Sequence, residues 1–342
     1  MSEELANAHN IQTHNAGSLH SRTADETPSR RDLLIGGGGL AASALVGGST
    51  ADGKPIHPIS AGATRVHAIQ TGRVKVKMAQ IEGVGRGLVR RAGPLFDSHW
   101  SDWLPTYVWA IEHREGVIVV DTGQATHLKS LPAWHPYFQL AVQFEIEPEQ
   151  EAGPQLRALG IGPRDVRQLI LTHLHIDHDA GLSHFPYSKI HASAGEVASA
   201  SGLAGRMRGY LPERWPSWFD PAPLAFEDAA FGPFAKSRVL TKAGDVIALP
   251  TPGHTPDHLS VAVLEGDTIL FLAGDTSYAE HQMSAGIVDG VSPDEDLAAG
   301  ALNTIRELAR TRRVVYLPTH DPASASRLAS REAVTPRATD RI

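Results

Sequence analysis

The chain has 342 residues, 42% of them hydrophobic and 20% charged, which leaves room for one large buried core and reads as a soluble catalytic domain. Its formal net charge of −7 argues against a nucleic-acid partner, because a phosphate backbone needs a basic face. Cysteine is absent, so disulfides and thiolate ligands are excluded, and any metal has to rest on imidazole and carboxylate, which 18 histidines make available.

Residues 1–28 are polar, lack periodicity and are expected to be disordered. Arg30 and Arg31 follow, then an uncharged run from Leu33 to Gly48 rich in Gly, Ala and Leu, then Ser49-Thr50-Ala51. This resembles a twin-arginine export signal: the apolar run is too short for a stable membrane span, and Ser49 and Ala51 suit a signal peptidase. Residues 1–60 are therefore expected to form a disordered N-terminus with signal and linker ahead of a catalytic domain over 61–342. The mature protein is expected to be exported, periplasmic or extracellular, without a stable membrane span.

From about Thr64 short β-branched runs alternate with helical stretches, an α/β pattern in which several runs end directly in a polar cluster. Gly116–Val120 leads into Asp121-Thr122-Gly123, Val166–Leu171 into Thr172-His173, and Val246–Leu249 into Thr251-Pro252-Gly253-His254. Thr268–Leu272 leads into Gly274-Asp275, and Arg313–Leu317 into Thr319-His320. Open α/β sheets build their sites at such strand ends. Glu149–Leu159, Asp294–Arg310 and parts of Ala194–Met207 read as helices, the second with Leu297, Ala301, Ile305 and Leu308 expected to face the core. Phe96–Pro105 and the aromatic, proline-rich stretch Tyr210–Phe234 fit no regular element; each could cover a site or pack as a satellite cluster under a loop.

The decisive feature is His173-Leu174-His175-Ile176-Asp177-His178. With histidine this frequent the expected number of chance matches to H-x-H-x-D-H is only about 0.003, so coincidence is set aside. Alternate residues of an extended segment project to one side, so His173 and His175 can meet one metal while Asp177 and His178 turn to a second. His254, Asp275 and His320 sit at the ends of three further strands, and Asp275 is the candidate bridging carboxylate. Two cations sharing one water lower its pKa towards neutrality and polarise a carbonyl, so hydrolysis needs no serine or cysteine nucleophile. A Ser-His-Asp reading lacks its Gly-x-Ser-x-Gly turn.

These motifs together resemble the metallo-β-lactamase superfamily, an αββα sandwich with a dinuclear site at one edge. The resemblance runs from Val119-Val120-Asp121-Thr122-Gly123 to Thr319-His320-Asp321. It implies His173, His175 and His254 on one metal, Asp177, His178 and His320 on the other, and Asp275 between them, with Asp121 and His258 orienting the ligands. Two divalent ions are implied, zinc first, with iron, cobalt or manganese also suited to nitrogen and oxygen donors. Within the superfamily the chain looks most like the N-acyl homoserine lactone lactonases, at Thr251-Pro252-Gly253-His254-Thr255-Pro256-Asp257-His258 and above all at Asp275-Thr276-Ser277-Tyr278. That resemblance makes Asp177, Asp275 and Tyr278 the catalytic residues, Tyr278 donating a hydrogen bond to the substrate carbonyl or ring oxygen. The substrate is expected to be a small lactone or ester. Ile176, Asp179 and Asp257 depart from that pattern and are expected to alter the pocket. The competing readings are an exported β-lactamase or other ester or thioester hydrolase of the same fold, and a metal-binding protein without turnover, which would carry metal but hydrolyse nothing.

Overall fold

The structure is a computed structural model that describes residues 64–335. The expectations for residues 1–60, the export signal included, lie outside the described residues.

Among the described residues twelve strands form two sheets. The strands are β1 (Arg65–Val76), β2 (Leu104–Glu112), β3 (Val117–Val120), β4 (Val142–Glu145), β5 (Val166–Ile170), β6 (Lys189–Ala192) and β7 (Ala222–Pro223), followed by β8 (Arg238–Val239), β9 (Val246–Pro250), β10 (Leu259–Glu265), β11 (Thr268–Gly274) and β12 (Arg313–Pro318). The first sheet runs β4-β1-β2-β3-β5-β6-β7 and the second β12-β11-β10-β9-β8. Pairing is parallel from β3 through β7 and between β11 and β12, and antiparallel elsewhere.

Strand periodicity divides each sheet into two apolar faces. On β2, Tyr107, Trp109 and Ile111 turn into a core shared with Val246, Val261, Leu270 and Leu317 of the second sheet. Val108 and Ala110 turn the other way, onto a layer with Ala152, Leu156 and Ala200 from the flanking helices. The second sheet does the same: Ile247, Phe271 and Tyr316 pack outward on Leu302, Ile305 and Leu308 of the helix Glu295–Thr311. Both faces of both sheets are therefore covered, which explains the near-continuous apolar runs and gives the expected αββα sandwich.

Two helical expectations need correction. Leu297 is 40% exposed, and the buried stripe instead comprises Ala298, Ala301, Leu302, Ile305, Leu308 and Ala309. At the helix entry Leu297 is engaged through its main chain, whose N–H donates to the Asp294 cap at 2.9 Å, and the apolar stripe begins one residue later. The segment Glu149–Leu159 is also not one helix, because Glu151 is extended between a turn at Pro148–Gln150 and the helix Ala152–Ala158. Its carboxylate accepts from Thr126 N and Oγ1 and pairs with His184, which holds it out of helical geometry. Of the two irregular stretches, Phe96 closes the helix Gly87–Phe96, and Tyr210–Phe234 is divided among the three layers: Trp215 and Phe219 in one, Phe226 in the next, Phe231 and Phe234 in the last.

Ile305→Ala should lower unfolding free energy by about 2–5 kcal/mol through an unfilled core volume, whereas Leu297→Ala should stay within about 0.5 kcal/mol of the parent. Urea unfolding of the two variants reads the difference, and equal losses would contradict the placement of the stripe.

Candidate metal centre

The strand ends expected to carry chemistry meet at one edge of the sandwich. β3 ends at Asp121, which has φ of +62°, and the turn continues through Gly123 at φ +70°, where a Cβ would fall 2.0 Å from Thr71 Oγ1. That turn brings Asp121 beneath His178. β11 ends at Gly274, also at positive φ, where a Cβ would lie 2.6 Å from His258 Nε2. Glycine there lets the His258 ring accept from Asp275 N at 3.0 Å, which fixes the backbone of Asp275.

All seven expected ligands converge. His173, His175 and His254 offer one set of donors, and Asp177, His178 and His320 another, each set within 4.8 Å internally. Asp275 lies between them: its Oδ1 is 3.2 Å from His178 Nε2, and its Oδ2 is 3.5 Å from His254 Nε2 and 3.3 Å from His320 Nε2. His320 Nε2 is 3.5 Å from Asp177 Oδ2.

The outer ring nitrogens are engaged in a way that points the inner ones at the centre. His178 Nδ1 donates to Asp121 Oδ2 at 2.9 Å, His254 Nδ1 to Asp289 Oδ2 at 2.8 Å and His320 Nδ1 to the Pro105 carbonyl at 2.9 Å. The Thr172 hydroxyl donates to Asp121 and accepts from His173 Nδ1 at 3.0 Å. Each of these rings therefore turns Nε2 inward. His175 presents Nδ1 instead, 3.0 Å from His254 Nε2. Two nitrogens bound about 2.05 Å from one tetrahedral ion stand about 3.3 Å apart, so this approach, unfavourable between two bare lone pairs, has a metal ligation spacing.

Three further atoms test the fit. His173 Nε2, His178 Nε2 and Asp275 Oδ1 are buried without a hydrogen-bond partner. Although His178 Nε2 and Asp275 Oδ1 are 3.2 Å apart, their alignment does not make a hydrogen bond. Orphaned buried polar atoms are costly, and a cation is the group that satisfies an inward lone pair and a carboxylate at once. The donor set is all nitrogen and oxygen, which fits divalent zinc-like ions.

Electrostatics agree. Burial holds His173 and His175 well below the usual histidine range, so both are neutral donors. Burial also opposes charge on His178, His254 and His320, but the carboxylates of Asp275, Asp121 and Asp289 outweigh it and raise all three, so these rings draw in positive charge, a proton that a bound cation would displace. Burial acts to raise Asp275 as well, yet His320 and His178 hold it well below the carboxylate range. His258 is lowered to about 3 by burial and by His254, which keeps it neutral, with Nδ1 beside Thr251 Oγ1 at 3.0 Å.

Tyr278 stands beside this cluster, its ring stacked on His320 with centroids 5.4 Å apart. A cavity of about 400 Å³ opens over the cluster, reached by His175, Asp177, Asp275, Tyr278 and His320 and walled largely by apolar side chains such as Val76, Leu95, Phe138, Phe144 and Met207. Of the three departures from the lactonase pattern, only Ile176 lines it. Asp179 is buried and accepts from Trp215 Nε1 at 2.6 Å, while Asp257 packs against Gly195, so neither shapes the cavity wall as expected. Tyr210 lines the cavity, with its ring 5.0 Å from that of His175. Sequence reasoning missed Asp289, Gln80 and Tyr137. None adjoins a strand end or a ligand motif, and each reaches the site through a long-range contact.

The family profile described as Metallo-beta-lactamase superfamily matches residues 101–320. Probable metallo-hydrolase Rv2300c of Mycobacterium tuberculosis is 29% identical over 231 residues, covering 63% of this chain and 71% of that protein. N-acyl homoserine lactonase AttM of Agrobacterium fabrum is 26% identical over 265 residues, covering 75% and 90%. Among solved structures, an N-acyl homoserine lactone hydrolase with the product N-hexanoyl-L-homoserine at its catalytic metal centre aligns with a TM-score of 0.60 at 19% identity, over 80% of this chain and 97% of that one, a likeness of fold. The profile takes in the strand ends Asp121, Thr172, His254, Asp275 and His320, and with them the whole convergent cluster. The chain thus belongs to the metallo-β-lactamase superfamily and is a hydrolase of that fold.

Proposed function

We propose that the protein is an exported dinuclear lactonase that opens N-acyl homoserine lactones or closely similar lactones. The observation that carries the reading is Tyr278 packed on His320 beside a seven-residue cluster, where a largely apolar cavity of about 400 Å³ opens. The kinship with AttM supports the same substrate class.

In this reading His173, His175 and His254 hold one ion, Asp177, His178 and His320 the other, and Asp275 both. When bound, two divalent cations, zinc by donor chemistry, lower the pKa of a water between them and polarise the scissile carbonyl. The chain's own residues do the rest. Water oxygen adds to the lactone carbonyl carbon, the ring carbon–oxygen bond breaks, and the ring oxygen leaves as a hydroxyl. Tyr278 donates a hydrogen bond to the oxygen on which negative charge develops. Asp177 is, at 15% side-chain exposure, more open to the cavity than Asp275 at 5%, and it is placed to take the water's proton and pass it to the ring oxygen. Val76, Phe138, Phe144 and Met207 exclude water along the acyl chain.

The purified protein should carry close to two metals per chain by elemental analysis. Asp289→Ala frees the Nδ1 of His254 and should weaken retention of one ion by about 10–100-fold against a competing chelator. A stoichiometry that stays near one in metal-supplemented preparations would exclude the dinuclear reading.

Tyr278→Phe should keep both metals and lower kcat on acyl homoserine lactones severalfold or more. About 10²–10³ is the ceiling for a lost oxyanion donor, reduced where a cation shares the charge. With proton release as readout, the parent should open lactones far faster than penicillins or cephalosporins. Faster β-lactam turnover would replace lactonase by β-lactamase and leave the metal centre standing.

Export rests on Arg30 and Arg31 ahead of the run Leu33–Gly48. Replacing both arginines with lysine should retain the protein in the cytoplasm with its activity unchanged, as read by fractionation, and export at the parental level would refute the signal.

A further inference from the structure

The hydroxyl of Tyr278 is not left to choose its own direction. Gln80, on the short helix Met78–Ile81, is 4% exposed and donates from Nε2 to the Tyr278 hydroxyl oxygen at 2.7 Å. The other end of the same amide, Oε1, accepts from the Tyr137 hydroxyl at 2.9 Å. The three side chains come from segments 57 and 198 residues apart in sequence and all face the cavity. No other hydrogen bond of the Tyr278 side chain is found among the described residues.

An amide side chain has fixed polarity: one end only donates, the other only accepts. While the Tyr137 proton occupies Oε1, Nε2 is turned to Tyr278, and the tyrosine oxygen is committed to accepting there. Its own proton is then turned away from Gln80 and left available to the cavity that Tyr278 lines. In the inverted arrangement Tyr278 would spend its proton on Gln80 and have nothing to offer a substrate.

The amide is also held at its root. Gln80 N donates to Lys77 O at 2.8 Å, Gln80 O accepts from Gly290 N at 2.8 Å, and the backbones touch so closely that a Cβ on Gly290 would fall 1.8 Å from Ala79 O. We propose that Gln80 is a positioning residue which, oriented by Tyr137, aims the Tyr278 O–H into the cavity as the donor to substrate oxygen. The proposal rests on the lactonase reading for the identity of that oxygen, but the direction of the O–H does not.

The test uses the metal-loaded protein with tyrosine labelled with carbon-13 at Cζ, the Tyr278 signal being assigned from Tyr278→Phe. Gln80→Glu, read at a pH where the introduced carboxyl is ionised, offers acceptors only and so draws the Tyr278 proton to itself, while Gln80→Met removes both hydrogen bonds at similar volume. The Tyr278 signal should move in Gln80→Glu, before any substrate is added. On a medium-chain acyl homoserine lactone, kcat for Gln80→Glu should fall about as far as for Tyr278→Phe, with KM and metal content nearly unchanged. Gln80→Met and Tyr137→Phe should lose less, because the proton is then unsteered but still available.

Gln80→Glu should add nothing further in a Tyr278→Phe background. Equal multiplicative losses in both backgrounds, or an unmoved Tyr278 signal, would overturn the proposal and leave Gln80 a packing residue. A parent that opens no lactone while its Tyr278 signal still responds to Gln80→Glu would sink the lactonase reading and uphold the orientation.

Discussion

Everything at the edge of this sandwich follows from gathering five imidazoles and two carboxylates, most of them buried, within a few ångströms of one another. His173 and His178 are fully buried, and His254, Asp275 and His320 are each at most 5% exposed. Such groups are tolerated only when every polar atom has a partner, and the partners fall into two shells. Outward, Asp121, Asp289, Thr172 and the Pro105 carbonyl take the ring protons. Inward, His173 Nε2, His178 Nε2 and Asp275 Oδ1 are left without a hydrogen-bond partner, which bound cations would supply.

That requirement also joins the two sheets. His320 follows β12 in the second sheet, yet its Nδ1 is held by Pro105 of β2 in the first. Alongside, Tyr107 N donates to Thr319 O at 3.1 Å and Leu259 N to Thr172 O at 3.0 Å, main-chain bonds that cross from one sheet to the other next to the ligands. Between the two ends the sheets meet through an apolar core, and away from the site His113 Nε2 lies 3.2 Å from Asp245 Oδ2 and Gln168 Nε2 donates to the Leu240 carbonyl at 3.0 Å. At the site edge, hydrogen bonds fix the register between the cluster residues borne on the two sheets.

How far the sequence was readable follows from the range of each interaction. The ligands were visible because strand ends and the H-x-H-x-D-H spacing are local, and a strand's geometry carries its residues to one edge whatever happens elsewhere. Tyr278 was singled out by the resemblance to the lactonases, through its place three residues after Asp275. Leu297 was misplaced because apolar spacing alone does not reveal where a helix meets the sheet; the Asp294 cap decided that. Glu151 broke a helix because Thr126 and His184, 25 and 33 residues away, compete for its carboxylate. Asp289 and Gln80 act through partners 35 and 198 residues distant, and nothing in their neighbouring residues marks them.

The same long-range contacts make the substrate wall and the metal shell mechanically one piece. The arm from Met78 to Phe96 supplies Gln80, Leu88 and Leu95 to the cavity. Arg90 on that arm is 8% exposed; its Nε donates to Asp289 O at 3.0 Å and its Nη1 to Gly83 O at 2.9 Å, and Nη2 reaches Val288 O. Gln282 Nε2 donates to Ile81 O at 2.9 Å from the other side. The carboxylate of Asp289, meanwhile, orients His254. The arm thus touches the backbone of the residue whose carboxylate orients His254, so one chain of hydrogen bonds runs from the cavity wall to the cluster.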